Sequence, residues 1–177
     1  MAKEKKHKPN WYEEPVPPGT YRSLLKWGDP AAFKHPNSGL VKLMMSSFDL
    51  APEDLDQPLD LALDRVELER PVLLEKSHID AFTAICGVEN ISTDTYTRIS
   101  RSYGSGMIDA LRLRKKIIQN IPELVISPRS HSEVQEIITY SNQHQIPVYV
   151  YGAGSSVTRG VEAVKGGIAL DMSTHMN

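Results

Sequence analysis

Cysteine is almost missing from this chain: Cys86 stands alone among 177 residues. One thiol closes no internal disulfide and builds no cysteine metal cluster, so the pattern is that of a reducing compartment and is read as cytoplasmic. Cys86 lies in the apolar stretch from Ile79 to Val88, which points to burial rather than reactivity. An excess of one charge is missing too. Charged residues make up 24% of the chain, yet the formal net charge is only -2, so no strong field for nucleic acid or an anionic membrane is expected. The basic tail formed by Lys3, Lys5, Lys6, His7 and Lys8 reads as a solvated end. No run approaches the ~20 apolar residues of a membrane span. Met1 to Pro18 carries charges without the apolar segment of a secretory signal. Metal-ligand spacing is equally absent: His7, His35 and His78 have no partner at suitable intervals. Asp54, Asp56, Asp60 and Asp64 are interleaved with Leu50, Leu55, Leu59, Leu61 and Leu63, which makes a solvated amphipathic segment rather than a cation loop.

What is present falls into three zones. Residues 1–40 combine Pro9, Pro15, Pro17, Pro18, Pro30 and Pro36 with Trp11, Tyr12, Tyr21 and Trp27, a spacing that forbids long helices and predicts an extended arm. Residues 41–120 lean to helix between Pro52, Pro58 and Pro71. Ser77 with Asp80 is expected to open a short helix that ends at Gly87, and Ile108 to Gln119 to form another, with Arg112, Arg114, Lys115 and Lys116 on its wet face.

Residues 121–177 are the informative zone. Glu123 to Ser127 is a β-type run stopped by Pro128. Ser130 and Glu133 have capping-box spacing, and Val134, Ile137 and Ile138 then recur at helical intervals to about Gln143. Val148-Tyr149-Val150-Tyr151 is a second β-run and Gly167 to Asp171 a third. Strand, capped helix and strand predict a βαβ unit with parallel strands and a right-handed crossover. His131 in the first helical turn reads as exposed, and His144 at the last turn as a cation favoured by the helix dipole.

Directly after the second strand comes Tyr151-Gly152-Ala153-Gly154-Ser155-Ser156-Val157-Thr158-Arg159-Gly160. Glycine permits positive φ and close approach, and consecutive N–H groups in such a turn make a concave anion site. From composition alone, a plain glycine-rich turn between strands is an equal reading. No lysine occurs between Gln143 and Val164, which excludes a Walker A loop. The dinucleotide fingerprint needs a third glycine where Val157 stands and a helix opening on the loop. Sixteen residues separate Tyr151 from Ile168, Gly160 and Gly166 among them, which leaves no comfortable room for a crossover helix. Arg159 is open between touching a phosphate and facing solvent.

Taken together, Ile121 to Pro128, His131 to Gln145, Pro147 to Gly160 and Asp171-Met172-Ser173-Thr174-His175-Met176-Asn177 resemble the opening of the FAD-binding domain of vanillyl-alcohol oxidase type (PCMH-type) flavoproteins. Within that family the likeness is strongest to the alkyl-dihydroxyacetonephosphate synthase branch. It extends to Lys26-Trp27-Gly28, Arg101-Ser102-Tyr103-Gly104 and Leu111-Arg112. The resemblance implies an α+β fold: an N-terminal extended and helical arm, then the first βαβ-plus-strand part of an incomplete FAD domain. It implies that Val150, Tyr151, Gly152, Ala153, Gly154, Ser155 and Ser156 hold the FAD diphosphate, with Gly160 closing the turn. Ala153 replaces the family's middle glycine, Ser155 its threonine, and Val150 a proline of the nearer relatives. Residues 145–174 contain no histidine, so FAD is expected to be held without a covalent link through this loop. No catalytic residue is expected in this chain. His175 and Asn177 fall within the motif without an assigned role.

The family continues into a second half of the FAD domain and a cap, so the resemblance implies a half-site, completed by a downstream segment or a second polypeptide. A partial sheet should leave an exposed edge and uncovered apolar surface. The functions in play are an FAD-dependent oxidoreductase of the alkyl-glycerone-phosphate synthase kind, a 2-hydroxy-acid dehydrogenase of the glycolate and D-lactate kind, and a truncated remnant that binds no flavin.

Overall fold

A computed structural model of the chain describes residues 16–24, 36–56, 60–68 and 70–176. The expectations for the basic tail, His7, Trp11, Tyr12, Lys26-Trp27-Gly28, His35, Leu59 and Asn177 lie outside the described residues. The chain divides into two compact units, one within residues 1–65 and one within 66–177.

The first unit holds α1 (Tyr21–Leu24) and α2 (Ser38–Phe48). The Asn37 side chain caps α2 by accepting from the Leu40 amide. Asp54, one of the acidic series, accepts from the Ala51 amide at 2.8 Å across a short 3-10 turn, Pro52–Leu55. It is a local cap. Among the described residues no group of three metal-ligating side chains comes together.

The second unit contains α3 (Lys76–Cys86), β1 (Ile91–Ser92), α4 (Thr95–Ser100), α5 (Met107–Arg114), β2 (Leu124–Ile126), α6 (His131–Gln143), β3 (Val148–Tyr151) and β4 (Ile168–Asp171). The four strands form one sheet in the order β1-β2-β4-β3. β2 and β3 are parallel, as a βαβ unit requires, but β4 lies between them and pairs in parallel with both. β1 adds an antiparallel edge of two residues, Ile91 opposite Ile126 and Ser92 opposite Val125. No helix intervenes between β3 and β4, so this second parallel connection is made by loop.

Alternation explains the core. Leu124 and Ile126 of β2 and Ile168 and Leu170 of β4 share one face, packed with Phe82 and Cys86 of α3, Ile137 of α6 and Ile146. Val125 and Ala169 alternate to the other face and are just as buried, so the two central strands are covered on both sides. β3 is the exposed edge, where Val150 is 59% exposed.

α6 runs over the residues its periodicity predicts, and Ser130 accepts from the Glu133 amide at 3.2 Å. The return bond differs from a capping box. The Glu133 carboxylate takes the amide of Arg129 at 2.7 Å and also grips the Arg129 guanidinium. α3 begins one residue before Ser77, with Asp80 paired to Lys76 at 2.6 Å. α5 stops at Arg114, short of the expected Gln119, because Lys116 turns to positive φ (55°). Helical amides cannot continue the ladder past such a residue.

Candidate diphosphate-binding site

The carboxyl ends of β3 and β4 lie side by side, with Tyr151 opposite Asp171. The glycine-rich loop leaves from that end. In open α/β sheets this is where ligands bind.

Asp171 anchors the site's floor and is 1% exposed. Its carboxylate accepts from Arg101 Nε at 2.8 Å, the Ser173 amide at 2.9 Å, the Ser173 hydroxyl at 2.6 Å and the Thr174 hydroxyl at 3.1 Å. Burial alone would raise its pKa, but the bonds from Ser173 and Arg101 outweigh burial and hold the carboxyl below its ordinary range. The same guanidinium stacks over the Tyr151 ring at 4.9 Å. Tyr151 is pushed up, chiefly by its burial, so its phenol stays protonated.

Above this floor, Gly154 takes a left-handed φ of 68° and seats directly on the Tyr151 hydroxyl; a Cβ there would collide with the phenol. Glycine is required at this position on both counts. Ala153 is absent from the positive-φ residues, so the family's middle glycine is replaced where no left-handed turn is needed. Gly160 closes the turn, donating its amide to the Ser156 hydroxyl at 3.3 Å.

The loop rests on a second segment, Gly104-Ser105-Gly106, which immediately precedes α5. The Ser105 hydroxyl donates to the Gly154 carbonyl at 2.8 Å, and the Ser105 amide to the Ser156 carbonyl at 2.8 Å. Gly104 lies so close to that carbonyl that any Cβ would overlap it. Among the described residues, no acceptor meets the backbone N–H groups from Gly152 to Arg159. Carbonyls turned inward and amides left free are what a nest for an oxyanion needs.

A set of four charged side chains lies beside the loop. Glu162, 6% exposed, accepts from Arg159 Nε at 2.6 Å, Asn120 at 2.9 Å and Arg112 at 3.1 Å. Asp109 lies 3.6 Å from Arg112 and 4.0 Å from Arg159. Burial works to raise Glu162, but bonds from Asn120, Arg112 and Arg159 pull it below its usual range. Arg159, left open by its sequence, is therefore occupied with carboxylates. Each buried acid near the loop has an arginine beside it, so no uncompensated negative charge opposes a diphosphate.

The expected residues from Tyr151 to Ser156, with Gly160, thus come together around one turn. Val150 lies just before the turn, on the exposed strand edge. Sequence reasoning missed Ser105, Gly106 and the buried carboxylates Asp109 and Glu162. The resemblance of Arg101-Ser102-Tyr103-Gly104 and Leu111-Arg112 is the signal that points toward them. His175 has a structural role at the far end of the motif. Its Nε2 meets the Asn90 side-chain oxygen at 3.0 Å, and the Asn90 amide donates to the Cys86 carbonyl, tying the chain after β4 to α3.

A glycine-rich loop at the carboxyl end of two parallel strands, running on to the next strand without a crossover helix, sets this unit apart from a Rossmann unit. The model of the FAD binding domain family matches residues 122–177. The chain is 34% identical over 116 residues to Protein Rv2250A of Mycobacterium tuberculosis, covering 66% of this chain and 73% of that one. It is 28% identical over 92 residues to alkyldihydroxyacetonephosphate synthase of Trypanosoma brucei brucei, covering 52% of this chain and spanning only 15% of that relative's length. A solved structure of alkyldihydroxyacetonephosphate synthase superposes with a TM-score of 0.59 at 21% identity, over 63% of this chain and 21% of that one, which establishes the shared fold. The chain belongs to the FAD-binding flavoprotein family that carries this domain.

Proposed function

We propose that this chain supplies the diphosphate-holding half of a non-covalent FAD site in an oxidoreductase of the alkyldihydroxyacetonephosphate synthase kind. The observation that carries the reading is the row of free amides from Gly152 to Arg159, presented at the strand ends by Gly154 and the inward-held carbonyls. Gly152, Ala153, Gly154, Ser155 and Ser156 bind the two phosphates, Tyr151 supports Gly154 from below, and Gly160 closes the turn. Bound flavin would supply the redox chemistry; the residues here bind and orient it. Residues 121–177 are read as the first part of the FAD domain, preceded by an arm over 1–40 and a helical region over 41–120. The isoalloxazine ring is held by residues outside this chain, on a downstream segment or a second polypeptide. Exposed Met107, Ile108 and Val157 around the loop support that division, because a finished site buries such side chains. Among the described residues no helix is long and apolar enough to cross a membrane, and the lone buried thiol supports a cytoplasmic setting.

The test is competitive binding to the purified chain. FAD is expected to bind and ADP to displace it, since both carry the diphosphate, whereas riboflavin, which lacks it, should not bind. Failure of FAD and ADP to bind at millimolar concentration overturns the diphosphate reading. Tight riboflavin binding overturns the half-site.

A further inference from the structure

Two carbonyls of the loop, those of Gly154 and Ser156, are held by one residue from a different part of the chain. The geometry points to Ser105 as a positioning residue for the diphosphate loop, acting through Gly154 and Ser156. This rests on the diphosphate reading above and adds to it a segment whose own side chain has no need to touch the ligand.

A trans peptide plane carries its C=O and the following N–H on opposite sides. Fixing the Gly154 carbonyl toward the Ser105 hydroxyl therefore aims the Ser155 amide away from Ser105. Fixing the Ser156 carbonyl toward the Ser105 amide does the same for Val157. Exposure agrees: Gly154 is buried, and Ser155 and Val157 are exposed. The flanking glycines make the approach possible. Gly104 touches the Ser156 carbonyl without a Cβ in the way, and a Cβ on Gly106 would sit 3.3 Å from the Val157 carbonyl. Gly106 also opens α5, so the clamp is built on a helix start and not on a free loop. Two glycines around a serine, all three in contact with one turn, form a template for that turn's backbone.

Ser105→Ala removes the hydroxyl bond to Gly154 and keeps the amide bond to Ser156. The decisive measurement is ¹⁵N relaxation on the full chain without ligand. The Ser155 amide is expected to gain fast motion in Ser105→Ala while Val157 and the β4 amides hold their values, and Ser105→Thr, which keeps a hydroxyl, is expected to restore it. ADP titrated into the same samples should bind about tenfold more weakly to Ser105→Ala, the loss of one oriented hydrogen bond, and at wild-type strength to Ser105→Thr. Unchanged Ser155 mobility overturns the assignment. So does loosening spread evenly through β3 and β4, which marks a merely structural residue. If ADP binds none of the proteins, the diphosphate reading fails and the relaxation result still decides the role of Ser105. If Ser105→Ala does not fold, Ser105→Cys, close in shape and a weak donor, is read in the same way.

Discussion

Asp171 combines nearly complete burial with four hydrogen bonds from Arg101, Ser173 and Thr174, and that combination makes it the most pH-exposed element of the site's floor. Its folded-state pKa is depressed. Its contribution to stability is therefore complete above the unfolded carboxyl's value, about 3.9, and is lost as pH falls below that toward the folded value. Glu162 is depressed as well and adds to the same acid limb. Asp171→Asn should cost about 3 kcal/mol near neutral pH, because it leaves the Arg101 charge without its buried partner. It should also flatten, without abolishing, the fall in stability below pH 4. Urea unfolding at a series of pH values checks both; an unchanged acid limb would mean that Arg101 does not hold the carboxylate in solution. Gly154 and Ala153 provide a second contrast of single residues. Gly154→Ala forces a Cβ into the Tyr151 phenol at positive φ, so ADP affinity should drop at least tenfold as the turn is displaced. Ala153→Gly, although it restores the family's residue, should leave affinity within about twofold, since the backbone at 153 already has an ordinary φ. A strong gain from Ala153→Gly, read by calorimetry, would contradict the turn described here.

At the scale of elements, α6 shows how local signals succeed. Ser130 accepts from the Glu133 amide, Glu133 secures Arg129, and Ile137 lands in the core. Ser130→Ala should cost about 1 kcal/mol by leaving a first-turn amide uncapped, whereas Ser132→Ala, two residues on and exposed, should cost a few tenths. Chemical denaturation of the two variants side by side tests this, and equal losses would remove the cap from the account. The periodicity, caps and β-runs that mark α6, β2, β3 and β4 all act over a few residues, so they were legible. Three features were not. β1 has two residues, Ile91 and Ser92, too few for any alternation to show. The insertion of β4 between β2 and β3 is decided by which edge buries Ile168 and Leu170 best, a property of the assembled core. The support of Gly154 by Ser105 joins positions 49 residues apart, and neither residue type announces the other. The glycine loop itself was legible because its conformation demands particular residues at particular places. Its scaffold was hidden because a serine between glycines satisfies many structures.

At the scale of the molecule, the two units should respond differently to ligand. Every described side chain that supports the loop, from Arg101 and Ser105 through Arg112 and Asn120 to Glu162, belongs to the unit within residues 66–177. A ligand that binds only the folded form stabilises that unit by RT ln(1 + [L]/Kd), about 2.7 kcal/mol at a hundredfold excess over Kd. Amides that exchange by opening of this unit, such as those of β2 and β4, should slow together by that factor. Amides from Gly152 to Arg159 should slow further, because the ligand becomes their acceptor. α2 belongs to the other unit, has no buried residue and leaves Leu43 and Phe48 exposed, so its amides are expected to exchange through local fraying. Hydrogen exchange with ADP or FAD added should therefore show protection graded from the loop to the central strands and none in α2. Protection in α2 equal to that of β4 would mean that the unit within residues 1–65 contributes to the flavin site, and the boundary of the binding apparatus would have to move toward the N-terminus.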